Sequence, residues 1–120
     1  MAYRQPVLDV PAVGNDAVGN MEVCAVNYRN RKFLDLAHGM PCMHCGQGEA
    51  SEPAHSNWSE HGKGMSIKAH DVYWAALCHT CHAYLDQGGK MTRDERKELW
   101  RKAYDATQLW LWQNGKVRVA

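Results

Sequence analysis

The spacing of apolar and polar residues divides the chain into segments of different kinds. Residues 1–26 carry Pro6, Pro11 and a doubled Ala-Val-Gly-Asn, at 12–15 and 17–20. Two copies of four residues are too short for a repeat architecture, and the stretch reads as a flexible or loosely docked arm. Residues 21–26 have the composition of a short strand, in which Cys24 stands alone as a small apolar filler. Over residues 27–38, Phe33, Leu34 and Ala37 fall on one face at helical spacing, and Gly39 and Pro41 end the predicted helix. Residues 46–70 are rich in Gly, Ser, His and Glu and read as a hairpin or ordered loop. Its first strand is expected within 51–57, its turn at His61-Gly62-Lys63-Gly64 and its returning strand over 71–77, where the pair Ala75-Ala76 is poor strand material. A short helix is expected from near Cys81 to Gly88-Gly89. Thr92-Arg93-Asp94-Glu95 is a capping box that opens the longest helix. Its residues Leu99, Ala103, Ala106 and Trp110 recur at helical spacing and are predicted to face the core. Asn114-Gly115 marks a turn, and residues 116–120 alternate as a final strand. The pattern predicts an α+β domain over residues 27–120, preceded by the arm 1–26.

A chain of 120 residues, 45% of them apolar, suits one domain with a small core of the kind that leans on a metal or a disulfide. A net charge of +1 leaves any affinity for nucleic acid to local clusters. Arg29, Arg31 and Lys32 form one such cluster, and Lys63 and Lys68 flank the predicted turn. No apolar run approaches the roughly 20 residues of a membrane span. The first residues lack the basic start and apolar stretch of a signal peptide, so a cytoplasmic location is expected, with no membrane partner. Five tryptophans are many for this length; Trp74 and Trp110 are expected inside, and Trp58, in the polar hairpin, on the surface or stacked on a base.

The candidate chemistry lies in the cysteines. Four of the five form two close pairs, Cys42-x-x-Cys45 and Cys78-x-x-Cys81. That spacing in a chain without an export signal favours a tetrahedral structural zinc over disulfides. His44 and His79 lie inside the pairs and read as solvated. His82 follows the last cysteine, and Asp86 lies one helical turn later, so the two share a face and can hold a second metal from one side. His55, on the first predicted strand, is placed to act as a general base across from them. Singly, each of these three is an ordinary polar residue; together, beside a zinc site, they have the layout of an HNH nuclease. His61, His70 and Asp71 are further candidates for the site, because the third ligand of such a cation is unassigned. Magnesium is the preferred ion there, with manganese or zinc as alternatives. A zinc deaminase is excluded by the missing His-x-Glu, and a thioredoxin-like role lacks its βαβ context. The rival reading is a non-catalytic zinc module that binds DNA or a protein partner; it needs the four cysteines but not His55, His82 and Asp86 together.

Several motifs carry a resemblance. Arg31-Lys32-Phe33-Leu34-Asp35-Leu36-Ala37, Ala54-His55, Gly62-Lys63-Gly64, Asp71 and the run from Cys78 to Asp86 resemble the small phage and prophage family of HNH-type nucleases typified by YbcO. More distantly, they are similar to the RecA-dependent nuclease Ref. The resemblance covers roughly residues 28–120. It implies a zinc-stapled ββα-metal core with flanking helices and a short C-terminal strand. It also implies a metal-dependent endonuclease acting on DNA in phage or prophage recombination or processing, in a bacterial cytoplasm, with a recombinase filament as a possible partner. Two positions depart from broader HNH enzymes. Ala54 stands where many have a ligand before the base. The Asn that orients the base would fall near Tyr73, with Asp71 the nearest polar substitute.

Overall fold

A computed structural model describes residues 8–10, 27–48 and 50–119. The elements in chain order are β1 (Leu8–Val10), α1 (Arg31–Asp35), β2 (Glu52–His55), β3 (Trp74–Leu77), α2 (His79–Gln87), α3 (Arg93–Gln113) and β4 (Val117–Val119). Short 3-10 turns at Leu36–Gly39 and Ser59–His61 join them. The fold is α+β. β2 and β3 pair antiparallel with Glu52 opposite Leu77 and His55 opposite Trp74, and β1 lies parallel to β4. Within the stretch read as an arm, Leu8–Val10 therefore meets the C-terminal strand; the strand expected over 21–26, with Cys24, lies outside the described residues. Among the described residues, no helix is long and apolar enough to cross a membrane.

α1 is shorter than its apolar pattern predicts. Asn30 caps it by accepting from Phe33 N–H, and the chain tightens into a 3-10 turn at Leu36 that buries Leu36 and Ala37. α3 starts where the capping box places it. Thr92 accepts from Glu95 N–H at 3.1 Å, and the Glu95 carboxylate reaches back to Thr92 N–H. Its buried stripe differs from the predicted one: Trp100, Ala103, Thr107 and Leu111 are buried, while Leu99, Ala106 and Trp110 are only partly covered. Ala103 belongs to both stripes; the rest shifts by one residue because the Trp100 indole and the Thr107 hydroxyl each have a partner on the hairpin.

All four residues of β3 are buried, and the Ala75-Ala76 pair explains how. Leu77 and Ala75 pack with Trp58, Leu85, Trp100 and Ala103, whereas Trp74 and Ala76 pack with Leu36, Ala37, Met40, Leu111 and Val117. Two small residues let α3 approach the strand closely enough for side-chain hydrogen bonds to its backbone. Thr107 Oγ1 accepts from Ala76 N–H at 2.9 Å and donates to Ala103 carbonyl at 2.7 Å. Trp100 Nε1 donates to Ala54 carbonyl at 2.9 Å. These bonds satisfy backbone groups that a wider sheet would pair, and they anchor Ala54 one residue before His55. Trp58, expected on the surface or stacked on a base, is instead buried at 7% exposure, its ring 5.5 Å from that of Trp100.

Candidate metal centre and adjoining cleft

The first cysteine pair sits on a tight turn. Gly46 N–H donates to Cys42 carbonyl and Cys42 N–H to Gln47 carbonyl, both at 2.9 Å. Gly46 takes φ +75°, a left-handed conformation in which a side chain would be strained. Met43 N–H donates to Ala76 carbonyl at 2.9 Å, which ties the turn to β3. The second pair opens α2, with Cys78 as N-cap accepting from Cys81 N–H at 3.4 Å. Leu77 ends β3 immediately before it, so the hairpin delivers the second pair to the first.

The four sulfurs lie within 4.8 Å of one another, and none is in a disulfide. Cys45 and Cys78 Sγ are 3.7 Å apart, close to the ~3.8 Å edge of a tetrahedron with metal–sulfur bonds of ~2.3 Å. Burial opposes ionisation of Cys42, but backbone N–H groups of Cys45, Cys78 and His44 outweigh it and bring that thiol down to about 6. Burial and the three neighbouring sulfurs push Cys81 up instead. One thiolate hinders the next, a conflict that a central divalent cation removes. The donor set fits a structural metal such as zinc.

Beside this cluster, an open cleft of about 230 Å³ is lined by Pro53, His55, Ser56, Asn57, Lys63, Lys68, His82 and Asp86. β2 supplies His55 to it, and α2 supplies His82 and Asp86. His55 Nε2 is 2.8 Å from Asp71 Oδ1. Asp71 otherwise accepts only, from Asn30 N–H at 2.7 Å and Arg29 Nη1 at 3.3 Å. The network therefore assigns the proton to His55 Nε2 and leaves Nδ1 as the acceptor. Burial opposes the Asp71 charge, but His55, Asn30 and Arg29 prevail and hold its carboxyl below the usual range.

His82 is gripped between two carboxylates. Its Nδ1 is 2.6 Å from Glu52 Oε1, and its Nε2 is 3.2 Å from Asp86 Oδ2. The Asp86 carboxylate, opposed by burial and helped by Glu52, raises the imidazole above its ordinary value, and His82 in turn lowers Asp86. Asn57 Nδ2 donates to the other Asp86 oxygen at 3.1 Å. Arg96, on α3, donates to the carbonyls of Leu85 at 3.0 Å, Asp86 at 3.1 Å and Gly88, so it caps the end of α2 that carries Asp86.

Not every residue singled out from the sequence reaches the cleft. His61 is buried, its Nδ1 2.6 Å from Ser56 Oγ and its ring stacked 4.3 Å from that of Tyr73. Burial lowers it below the ordinary histidine value, which suits a neutral core histidine rather than a ligand. His70 Nδ1 accepts from Tyr28 N–H at 2.9 Å. Asp71 backs His55 from behind rather than lining the cleft. Arg29 is engaged with Asp71 and with the carbonyls of Lys68 and Ala69, at 2.9 and 2.6 Å. Arg31 pairs with Asp35 on the exposed face of α1, and Lys32 is exposed there. Lys63 and Lys68 do line the cleft. Glu52, Asn57 and Arg96 were not anticipated. Glu52 reaches His82 through the hairpin register, in which it faces Leu77, one residue before the cysteine that caps α2.

The fold and the sulfur cluster define a small α+β domain with a four-cysteine site for a structural metal. The chain belongs to the family described as protein of unknown function (DUF968), whose match spans residues 24–112 and so takes in both cysteine pairs, the hairpin, α2 and nearly all of α3. No curated protein and no solved structure matches it.

Proposed function

We propose that the chain is a metal-dependent phosphodiesterase of the HNH type that cuts DNA. The observation that carries this reading is that His55, His82 and Asp86 line one cleft together with Lys63 and Lys68. The order β2, β3, α2, with a four-cysteine cluster at the hairpin's base, suits a zinc-stapled ββα-metal core. On this reading the chain is a relative of the YbcO-like nucleases and, more distantly, of Ref. Its substrate would then be DNA in phage or prophage recombination, with a recombinase filament as a candidate partner.

The reading assigns a catalytic cation to His82 and Asp86. His82 Nε2 and Asp86 Oδ2 stand 3.2 Å apart and would be the residues that hold it. Glu52 on Nδ1 holds the ring so that Nε2 points at Asp86, the usual support for a ligating histidine. When bound, such a cation stabilises charge on the leaving oxygen and in the transition state. Lys63 and Lys68 bind the phosphate oxygens. A water between His55 and the phosphorus gives its proton to Nδ1, and its oxygen forms the new P–O bond as the bond to the leaving oxygen breaks on the far side. Asp71 accepts the Nε2–H throughout and stabilises the imidazolium that forms. The leaving oxygen takes a proton from solvent.

The test is nicking of supercoiled plasmid by zinc-loaded protein, with and without added magnesium or manganese. Cutting that needs the added ion supports the reading. Absence of cutting with every divalent ion, at protein concentrations that bind the plasmid, would leave the non-catalytic zinc module as the better one.

A further inference from the structure

The connection between β2 and β3 carries a feature that the cutting chemistry does not use. Gly64 and Ile67 exchange both backbone hydrogen bonds, each at 3.1 Å, and close a two-residue turn over Met65 and Ser66, with Ser66 at φ +59°. Met65 is 95% exposed and Ile67 52% exposed. Two large apolar side chains thus stand exposed together on one tight turn.

The base of this turn is braced. Asn27 Nδ2 donates to the carbonyls of Gly62 at 2.7 Å and Lys68 at 2.9 Å, Arg29 donates to Lys68 and Ala69 carbonyls, and His70 N–H donates to His61 carbonyl at 3.0 Å. Gly62 sits at φ +91°, and a β-carbon there would come within 2.7 Å of the His70 ring, so the brace is built around a glycine. The two lysines that flank the tip, Lys63 and Lys68, also line the cleft.

We infer that Met65, supported by Ile67, is an apolar wedge that enters a groove of the DNA duplex and parts a base step next to the phosphate held in the cleft. The inference rests on the proposed DNA substrate. Charge complementarity selects the occupant, because cations flank the tip on both sides and would meet phosphates while the apolar tip meets bases. Side chains of this kind open base steps and bend the duplex, and a braced turn loses little freedom on insertion.

The experiment uses the full chain, zinc-loaded and without added magnesium so that nothing is cut. Short duplexes carry 2-aminopurine at successive steps, and its fluorescence reports unstacking. The wild type should raise the fluorescence at one or two adjacent steps. Met65→Ser, whose site is solvent-exposed and should fold normally, should abolish the rise and weaken binding roughly tenfold, the size of losing one large buried apolar side chain. Lys63→Ala should retain the rise at saturation and reduce the salt dependence of binding by about one phosphate contact. Unchanged binding and fluorescence in Met65→Ser would overturn the wedge, as would Met65-dependent binding to anionic lipid vesicles but not to duplex. Plasmid nicking separates this from the proposed activity: an active nuclease indifferent to Met65 sinks only the wedge, and an inactive protein that still unstacks DNA sinks only the nuclease.

Discussion

At the scale of single residues, the cleft depends on groups that hold other groups. Asp71 accepts from His55, from Asn30 N–H and from Arg29. An asparagine could still accept from His55 and Arg29 through its oxygen, but its amide nitrogen would then face the Asn30 N–H, donor against donor. Asp71→Asn is therefore expected to lower stability by about 1–3 kcal/mol, read as a fall in urea midpoint, and to slow cleavage more than it weakens DNA binding. Because its folded carboxyl is lowered, the Asp71 contribution is complete above its unfolded value near pH ~4 and is lost as pH falls through the folded value. The wild-type midpoint should decline in that window more steeply than that of Asp71→Asn. Some of these residues were legible in the sequence. The cysteine pairs announce themselves by spacing, and His82 and Asp86 by one helical turn. Glu52 and Asn57 were not, because each meets its partner only through the hairpin register and the packing of α2 beside it. His61 is a candidate from sequence because the third ligand of the cation is unassigned; Ser56 and the Tyr73 ring engage it instead, and no spacing rule places them against it.

At the scale of elements, α3 is the strut that holds the hairpin and α2 together. Its start was readable from the capping box, a local interaction between residues three apart. Its buried stripe lies one position from the apolar pattern, because that pattern omits a threonine whose hydroxyl serves β3 and a tryptophan that donates to Ala54. For the same reason the alanine pair in β3 argued against a strand, whereas it is what lets the helix lie close. Two substitutions near the start of α3 should separate stability from positioning. Thr92→Ala removes a cap and should cost about 1 kcal/mol with little effect on cleavage of the folded protein. Arg96→Met keeps much of the stem but releases the carbonyls of Leu85, Asp86 and Gly88. It should weaken the apparent magnesium affinity several-fold, seen as a higher ion concentration at half-maximal nicking rate.

At the scale of the whole molecule, two small cores share the hairpin, and the sulfur cluster joins its base to the turn after α1. Folding should be coupled to metal. Metal analysis is expected to find one tightly held zinc per chain; Cys42→Ser or Cys81→Ser should lose it and unfold, and a strong chelator should unfold the wild type. Protein that stays folded and zinc-free with its thiols intact would contradict this. The central claim, that the cleft cuts phosphodiester bonds with His55 as base, is tested most directly by the nicking rate of His55→Ala at saturating magnesium, with zinc content confirmed equal to wild type. The account predicts a loss of roughly a hundredfold or more, with ion dependence retained; cleavage undiminished by the substitution would contradict it.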